Sequence, residues 1–170
     1  MANTGKKYIK LASGRLQEQV AYNEGGAEGD VVALDAAGRV PAAYMPVGIG
    51  ADTASIVASE NLASGDFVNI WDDGGTISVR KADATTAGKE ADGFVLDAVT
   101  APASATVYFE GRNTSKTGLT LGARYYLSAA AAGGVVTTPP SASGNVVQFL
   151  GRAVSATSIS FEATDGVIVA

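Results

Sequence analysis

Histidine and cysteine are absent from all 170 residues, and each absence removes a group of chemistries. Histidine is the side chain whose unperturbed pKa lies between about 5 and 8, so acid–base work near neutrality falls to carboxylates. Triads and dyads that use a histidine base are excluded outright. Without cysteine there is no disulfide framework and no CxxC zinc site, and the sequence carries no mark of its redox compartment. Aromatic residues make up 7% and charged residues 17%, whereas 46% is hydrophobic. The apolar content is therefore mostly small or β-branched, which favours thin, closely packed sheets. No run approaches the roughly 20 apolar residues of a membrane span, and the basic start is not followed by an apolar segment of signal-peptide length. The expectation is a chain made in the cytoplasm, left unprocessed and engaging no membrane. A net charge of −5 argues against a general nucleic-acid binder, which needs a basic face to displace counterions from phosphates.

What the chain does contain is short alternating runs broken by turns. The clearest is Phe67-Val-Asn-Ile-Trp71, then Asp72-Asp-Gly-Gly75, then Thr76-Ile-Ser-Val-Arg80. Asp and Gly supply the positive φ values of a tight hairpin turn, and Ile77 and Val79 alternating with Thr76, Ser78 and Arg80 predict a strand with one dry face. Further strands are predicted at 55–58, 93–99, 105–110, 124–128, 135–138, 145–150, 152–155, 158–162 and 167–169. Turns recur about every ten residues, the spacing of an all-β sandwich or barrel. The four alanines 129–132 end at Gly133-Gly134 and are too few for a helix, and the two prolines within 137–144 make that segment an exposed connection.

Charge divides the N-terminal part. Residues 1–15 hold Lys6, Lys7, Lys10 and Arg15 with no acid, and residues 16–35 hold Glu18, Glu24, Glu28, Asp30 and Asp35 with no base. The stretch reads equally well as a solvated tail with scattered charge or as an arm that orders against a partner. A short hairpin is predicted from 31–34 through a turn at 35–38 to Arg39 and Val40. Pro41, Pro46, Gly48 and Gly50 then make a linker, with the domain boundary near Ala51. The fold class expected is all-β: a small β-barrel or sandwich module at 51–170, preceded by an extended N-terminal arm at 1–50 with one short hairpin.

Motifs that carry chemistry are few. Asp72 and Asp73 sit in a turn, and Glu90, Asp92 and Asp97 cluster around one strand entrance, but a glycosidase pair also needs a cleft and a raised pKa. Asp72-Asp-Gly-Gly75 is too short for an EF-hand loop. Gly88-Lys89 is followed by Glu90 where a phosphate loop needs Ser or Thr, and Gly25, Gly26 and Gly29 form no dinucleotide fingerprint. Arg80-Lys81 and Arg112 with Lys116 make small basic spots. Trp71, Tyr108, Tyr125 and Tyr126 are expected mostly in the core, where a large ring supplies much of the burial. Asn113-Thr-Ser115 matches a glycosylation sequon. No catalytic, cofactor or metal residues are assigned, and the chain reads as a building part without enzymatic activity.

Gly29-Asp-Val-Val-Ala-Leu-Asp-Ala-Ala-Gly-Arg-Val-Pro-Ala-Ala-Tyr-Met-Pro-Val-Gly-Ile-Gly50 resembles a connector found in many structural proteins of tailed bacteriophages. Ala63-Ser-Gly-Asp-Phe-Val-Asn-Ile70, Val79-Arg-Lys-Ala-Asp-Ala-Thr85, Gly88-Lys-Glu-Ala-Asp-Gly-Phe-Val95, Ala105-Thr-Val-Tyr-Phe-Glu-Gly111 and Gly122-Ala-Arg-Tyr-Tyr-Leu-Ser128 are similar to their capsid-decoration, or head-fibre, β module. The resemblance implies a virion component on the capsid surface, made in the host bacterial cytoplasm, with the major capsid protein as partner and a homotrimer around a capsid symmetry axis. The basic head then supplies the candidate capsid contacts Lys6, Lys7, Tyr8, Lys10 and Arg15. The alternative is a tail-fibre or baseplate module that holds host glycan through exposed aromatics such as Trp71.

Overall fold

The computed structural model describes residues 7–12, 15–20, 38, 40 and 51–170, and among these the chain is all-β with no helix. It divides into two compact units, Met1–Gly50 and Ala51–Ala170.

In the first unit, β1 (Lys7–Ala12) and β2 (Arg15–Val20) form an antiparallel ribbon. The register runs from Ala12↔Arg15 to Lys7↔Val20, so Ser13 and Gly14 alone connect the strands. This ribbon replaces the extended chain expected there. Its signal is a Ser-Gly pair between runs containing Ile9, Leu11, Leu16 and Val20, and the charge of the stretch hides it. The hairpin expected at 31–40 lies outside the described residues except Gly38, at φ 76°, and exposed Val40, and the linker expected at 41–50 lies wholly outside them.

In the second unit, β3 (Thr53–Ala58), β4 (Phe67–Asp72), β5 (Ile77–Lys81), β6 (Gly93–Val95) and β7 (Ser104–Tyr108) close into a barrel in the order β3-β5-β4-β6-β7. The β3–β5 pair is parallel and the other four are antiparallel. Then come β8 (Glu110–Asn113), β9 (Arg124–Leu127), β10 (Val135–Val136), β11 (Val146–Val147), β12 (Phe149–Ala153), β13 (Ile159–Glu162) and β14 (Val167–Ile168). Five of these make a sheet in the order β10-β9-β12-β13-β8, and β11 pairs with β14.

Two cores follow from strand alternation. Val68, Val79, Val95, Ala105 and Val107 fill the barrel with Ala58 and Leu62. Their immediate neighbours Phe67 and Phe94 point out of the barrel and meet Tyr125, Leu127, Leu150, Ile159 and Phe161 from the five-stranded sheet. Successive residues of a strand face opposite ways, so a strand buried on both sides reads as continuous apolar text. The scarce aromatics concentrate in the second core: the Phe67 and Phe161 rings are 5.3 Å apart and those of Phe94 and Phe161 5.8 Å. Each such buried side chain contributes about 1.5–3 kcal/mol.

The predicted 67–80 hairpin is present, with register Asp72↔Ile77 and Trp71↔Ser78. Gly74 and Gly75 take φ values of 64° and 93°, and an Asp72 carboxylate oxygen accepts the Gly75 N–H at 2.6 Å. The dry face differs from expectation. Val79 is buried in the barrel, but Ile77 is 61% exposed because it sits at the hairpin end, and Ser78 is buried opposite Trp71.

Candidate functional site

Asp92 is placed by an interrupted ladder. β6 pairs with β4 only at Phe67 and Val68, so the next outward N–H of β4, at Ile70, finds no partner on β6. An Asp92 carboxylate oxygen takes its place, accepting from Ile70 N at 2.7 Å and from Asn69 Nδ2 at 3.1 Å. Burial pushes the Asp92 carboxyl above the usual carboxylate value, with Glu90 adding to the rise and the Ile70 and Asn69 hydrogen bonds opposing it.

Beside it opens a polar cleft of about 510 Å³ lined by Glu90, Asp92, Gln148, Thr164 and Asp165 among others. Gln148 forms its floor. Its Oε1 accepts from Ala91 N at 2.7 Å, and its Nε2 donates to Ala91 O at 2.9 Å and Thr164 O at 2.8 Å. Glu90 is partly committed to its own turn, accepting from Gly88 N at 2.8 Å. No group of three or more acidic residues suited to a metal ion occurs among the described residues.

A polar chain leads from this cleft to half-buried Trp71. Asn69 donates to Glu90 O at 2.9 Å and accepts from Arg80 Nε at 2.9 Å. The Arg80 guanidinium lies 4.6 Å from the centre of the Trp71 ring, and the indole Nε1 donates to Ser59 Oγ at 3.1 Å. Trp71 is not among the residues that line the cleft; the two are linked only through Arg80 and Asn69.

Of the residues singled out in the sequence, Glu90 and Asp92 come together in this cleft. Asp97 is not among its lining residues, and Asp165, unmarked in the sequence, is. Asp72 and Asp73 are exposed turn residues. Tyr125 is a core residue whose hydroxyl accepts from Thr120 N at 2.9 Å, and Tyr108 stacks on Phe94 with centroids 5.4 Å apart. Tyr126 instead lies half-buried on the far face of the five-stranded sheet, 5.8 Å from Phe149. Asn113 of the sequon is fully buried, donating to Gly65 O at 2.9 Å and accepting from Ser115 N at 3.2 Å, which leaves its amide closed to modification.

Among the candidate capsid contacts, Lys7, Tyr8 and Lys10 belong to β1, and exposed Arg15 opens β2. Tyr8, Lys10 and Arg15 occupy register positions of one parity, paired with Gln19, Gln17 and Ala12, and Lys7 occupies the other. Lys6 lies outside the described residues. In comparisons with known proteins, no family model, no curated protein and no solved structure matches this chain.

Proposed function

We propose that this chain is a non-enzymatic structural protein of a tailed-phage virion, a decoration or head-fibre protein that binds the outer surface of the capsid. The observation that carries the reading is that Lys7, Tyr8, Lys10 and Arg15 of the basic head lie on a β-hairpin, with Glu18 its one acid among the described residues, in a unit separate from the barrel module. A ribbon bearing Lys7, Tyr8, Lys10 and Arg15 offers backbone edges and cationic side-chain types to an acidic capsid surface, while the 51–170 module projects outward. A trimer would carry three such arms, and effective concentration converts three modest contacts into firm attachment. The absence of His and Cys supports a role in adhesion. Capsid occupancy of the Lys7→Glu/Lys10→Glu/Arg15→Glu variant, counted by electron microscopy on particles assembled without the wild-type chain, tests this. Occupancy is expected to fall at least tenfold, and unchanged occupancy removes the arm from the account.

The polar chain from Trp71 to the Glu90/Asp92 cleft favours one second reading, a tail-fibre or baseplate module that holds host glycan. Glycan-array binding lost on Trp71→Ala with the fold intact, together with tail location in micrographs, would select it.

A further inference from the structure

The face of the five-stranded sheet turned away from the core carries an ordered pattern. Cross-strand register places Arg124, Arg152, Ser160 and Arg112 side by side in one row across β9, β12, β13 and β8. All four are exposed. Two residues further along β9, β13 and β8 lies a second row: Tyr126 and Phe149 in register, then Glu162 and Glu110 in register. Arg124 bridges the rows, its guanidinium 4.5 Å from the Phe149 ring centre and 5.9 Å from that of Tyr126. Like charges therefore stand directly opposite each other twice, Arg124 against Arg152 and Glu162 against Glu110, a pairing that weakens an isolated sheet. Among the described residues none of these five charges forms an ion pair within 4.0 Å; the pair present is Lys81 with Asp66.

We propose that this face is a two-fold contact with a second copy of the chain. A two-fold axis lying between two such faces, across the strands and midway between the rows, sets each first-row residue over the second-row residue of the same strand. Arg124 then meets Tyr126 of the second copy, Arg152 meets Phe149, Ser160 meets Glu162 and Arg112 meets Glu110. Every match is favourable: two guanidinium–aromatic contacts, a hydroxyl–carboxylate hydrogen bond and an ion pair, each made twice. A two-fold axis along the strands would instead set Arg124 over Arg112, so the pattern selects one geometry. Self-complementarity of this kind defines an isologous interface. Sheets pack about 10 Å apart, within reach of Arg and Glu side chains extended from both faces.

The bulge at Gly151 completes the fit. The β9–β12 register shifts between Phe149 and Gly151, and a depression of about 490 Å³ opens beside Phe149, Arg152, Ser160 and Glu162. It is large enough to receive a side chain from the facing copy. A polyanion is a poorer occupant because Glu162 and Glu110 would sit beneath it. The contact does not depend on the virion reading, and it adds a two-fold to any threefold association.

Sedimentation velocity of the full-length chain tests it. The wild type is expected at twice the subunit count of Arg112→Glu, in which the introduced carboxylate faces Glu110 of the second copy and the dissociation constant rises at least about tenfold. The charge swap Glu110→Arg/Arg112→Glu should regain the wild-type count, since the ion pair is re-formed in reverse. Circular dichroism establishes that each variant is folded. The proposal fails if Arg112→Glu sediments as the wild type does, if the folded swap stays at the lower count, or if the wild type remains monomeric up to about 1 mM.

Discussion

Replacing Gln148 with Leu isolates the bond set that ties the 82–92 loop to the C-terminal segment. The side chain is 1% exposed, and Leu nearly matches its volume, so the change removes three hydrogen bonds while leaving packing close to native. Ala91 is itself buried, so its N–H and C=O both become orphans at about 1–3 kcal/mol each. Thr164 O borders the open cleft, where water replaces the lost donor, and adds little. Leu returns about 1 kcal/mol through its apolar surface. The net loss is about 1–5 kcal/mol, a substantial part of the roughly 5–15 kcal/mol that holds an ordinary domain folded. Urea titration followed by the fluorescence of Trp71, the sole tryptophan, should show the midpoint falling with an unchanged slope. Gln148→Glu sharpens the test. At neutral pH it sets a carboxylate against two carbonyl oxygens, and at about pH 4 protonation restores one donor, so its deficit should shrink on acidification. A Leu variant within about 0.5 kcal/mol of wild type, or a Glu variant whose deficit ignores pH, would refute the reasoning.

Gly151→Ala should be among the most damaging single changes, because the φ of 144° is foreign to L side chains and the added Cβ would collide with Ser160 O across the β12–β13 ladder. A loss above about 3 kcal/mol in the same titration is expected, and tolerance would mean that the bulge is not rigid. Burial lowers the pKa of Lys116 below the ordinary 10.5, against the pull of Asp66. The unfolded chain therefore holds this proton more tightly, and the Lys116 contribution should make stability rise with pH through the window ending near 10.5; melting temperatures of Lys116→Met should lack that rise. Asp92 behaves oppositely: its folded pKa is raised, so its contribution is most favourable in acid and declines as pH climbs from 3.8 through the folded value, a slope that Asp92→Asn should abolish.

Local chemistry is legible wherever it acts over a few residues. Asp72-Asp-Gly-Gly75 announces its hairpin, the two prolines in 137–144 announce a connection, and the alanines 129–132 form a turn in which Ser128 Oγ accepts from Ala130 N and Ala131 N. The strand predicted at 105–110 ends at Tyr108, and β8 begins separately at Glu110. That break transfers the chain from barrel to sheet, and nothing in a run of alternating residues marks such a transfer. The cleft is half visible: Glu90 and Asp92 are neighbours in sequence, but Gln148 and Asp165 arrive from far along the chain.

From composition and periodicity alone, this polypeptide had to be a β protein without histidine or thiol chemistry, built on small apolar side chains and punctuated by Asp/Gly turns. Within β9 the sequence grouped Tyr125 with Tyr126 as core aromatics, and the structure separates them, with Tyr125 and Leu127 buried and Arg124 and Tyr126 on the opposite face. Which strands become neighbours is a different matter, because pairing is set by long-range packing and loop closure. Closure of the barrel through parallel β3 and β5, the row of arginines across β9, β12 and β8, and the cleft beneath Asp92 therefore exist only in the folded chain.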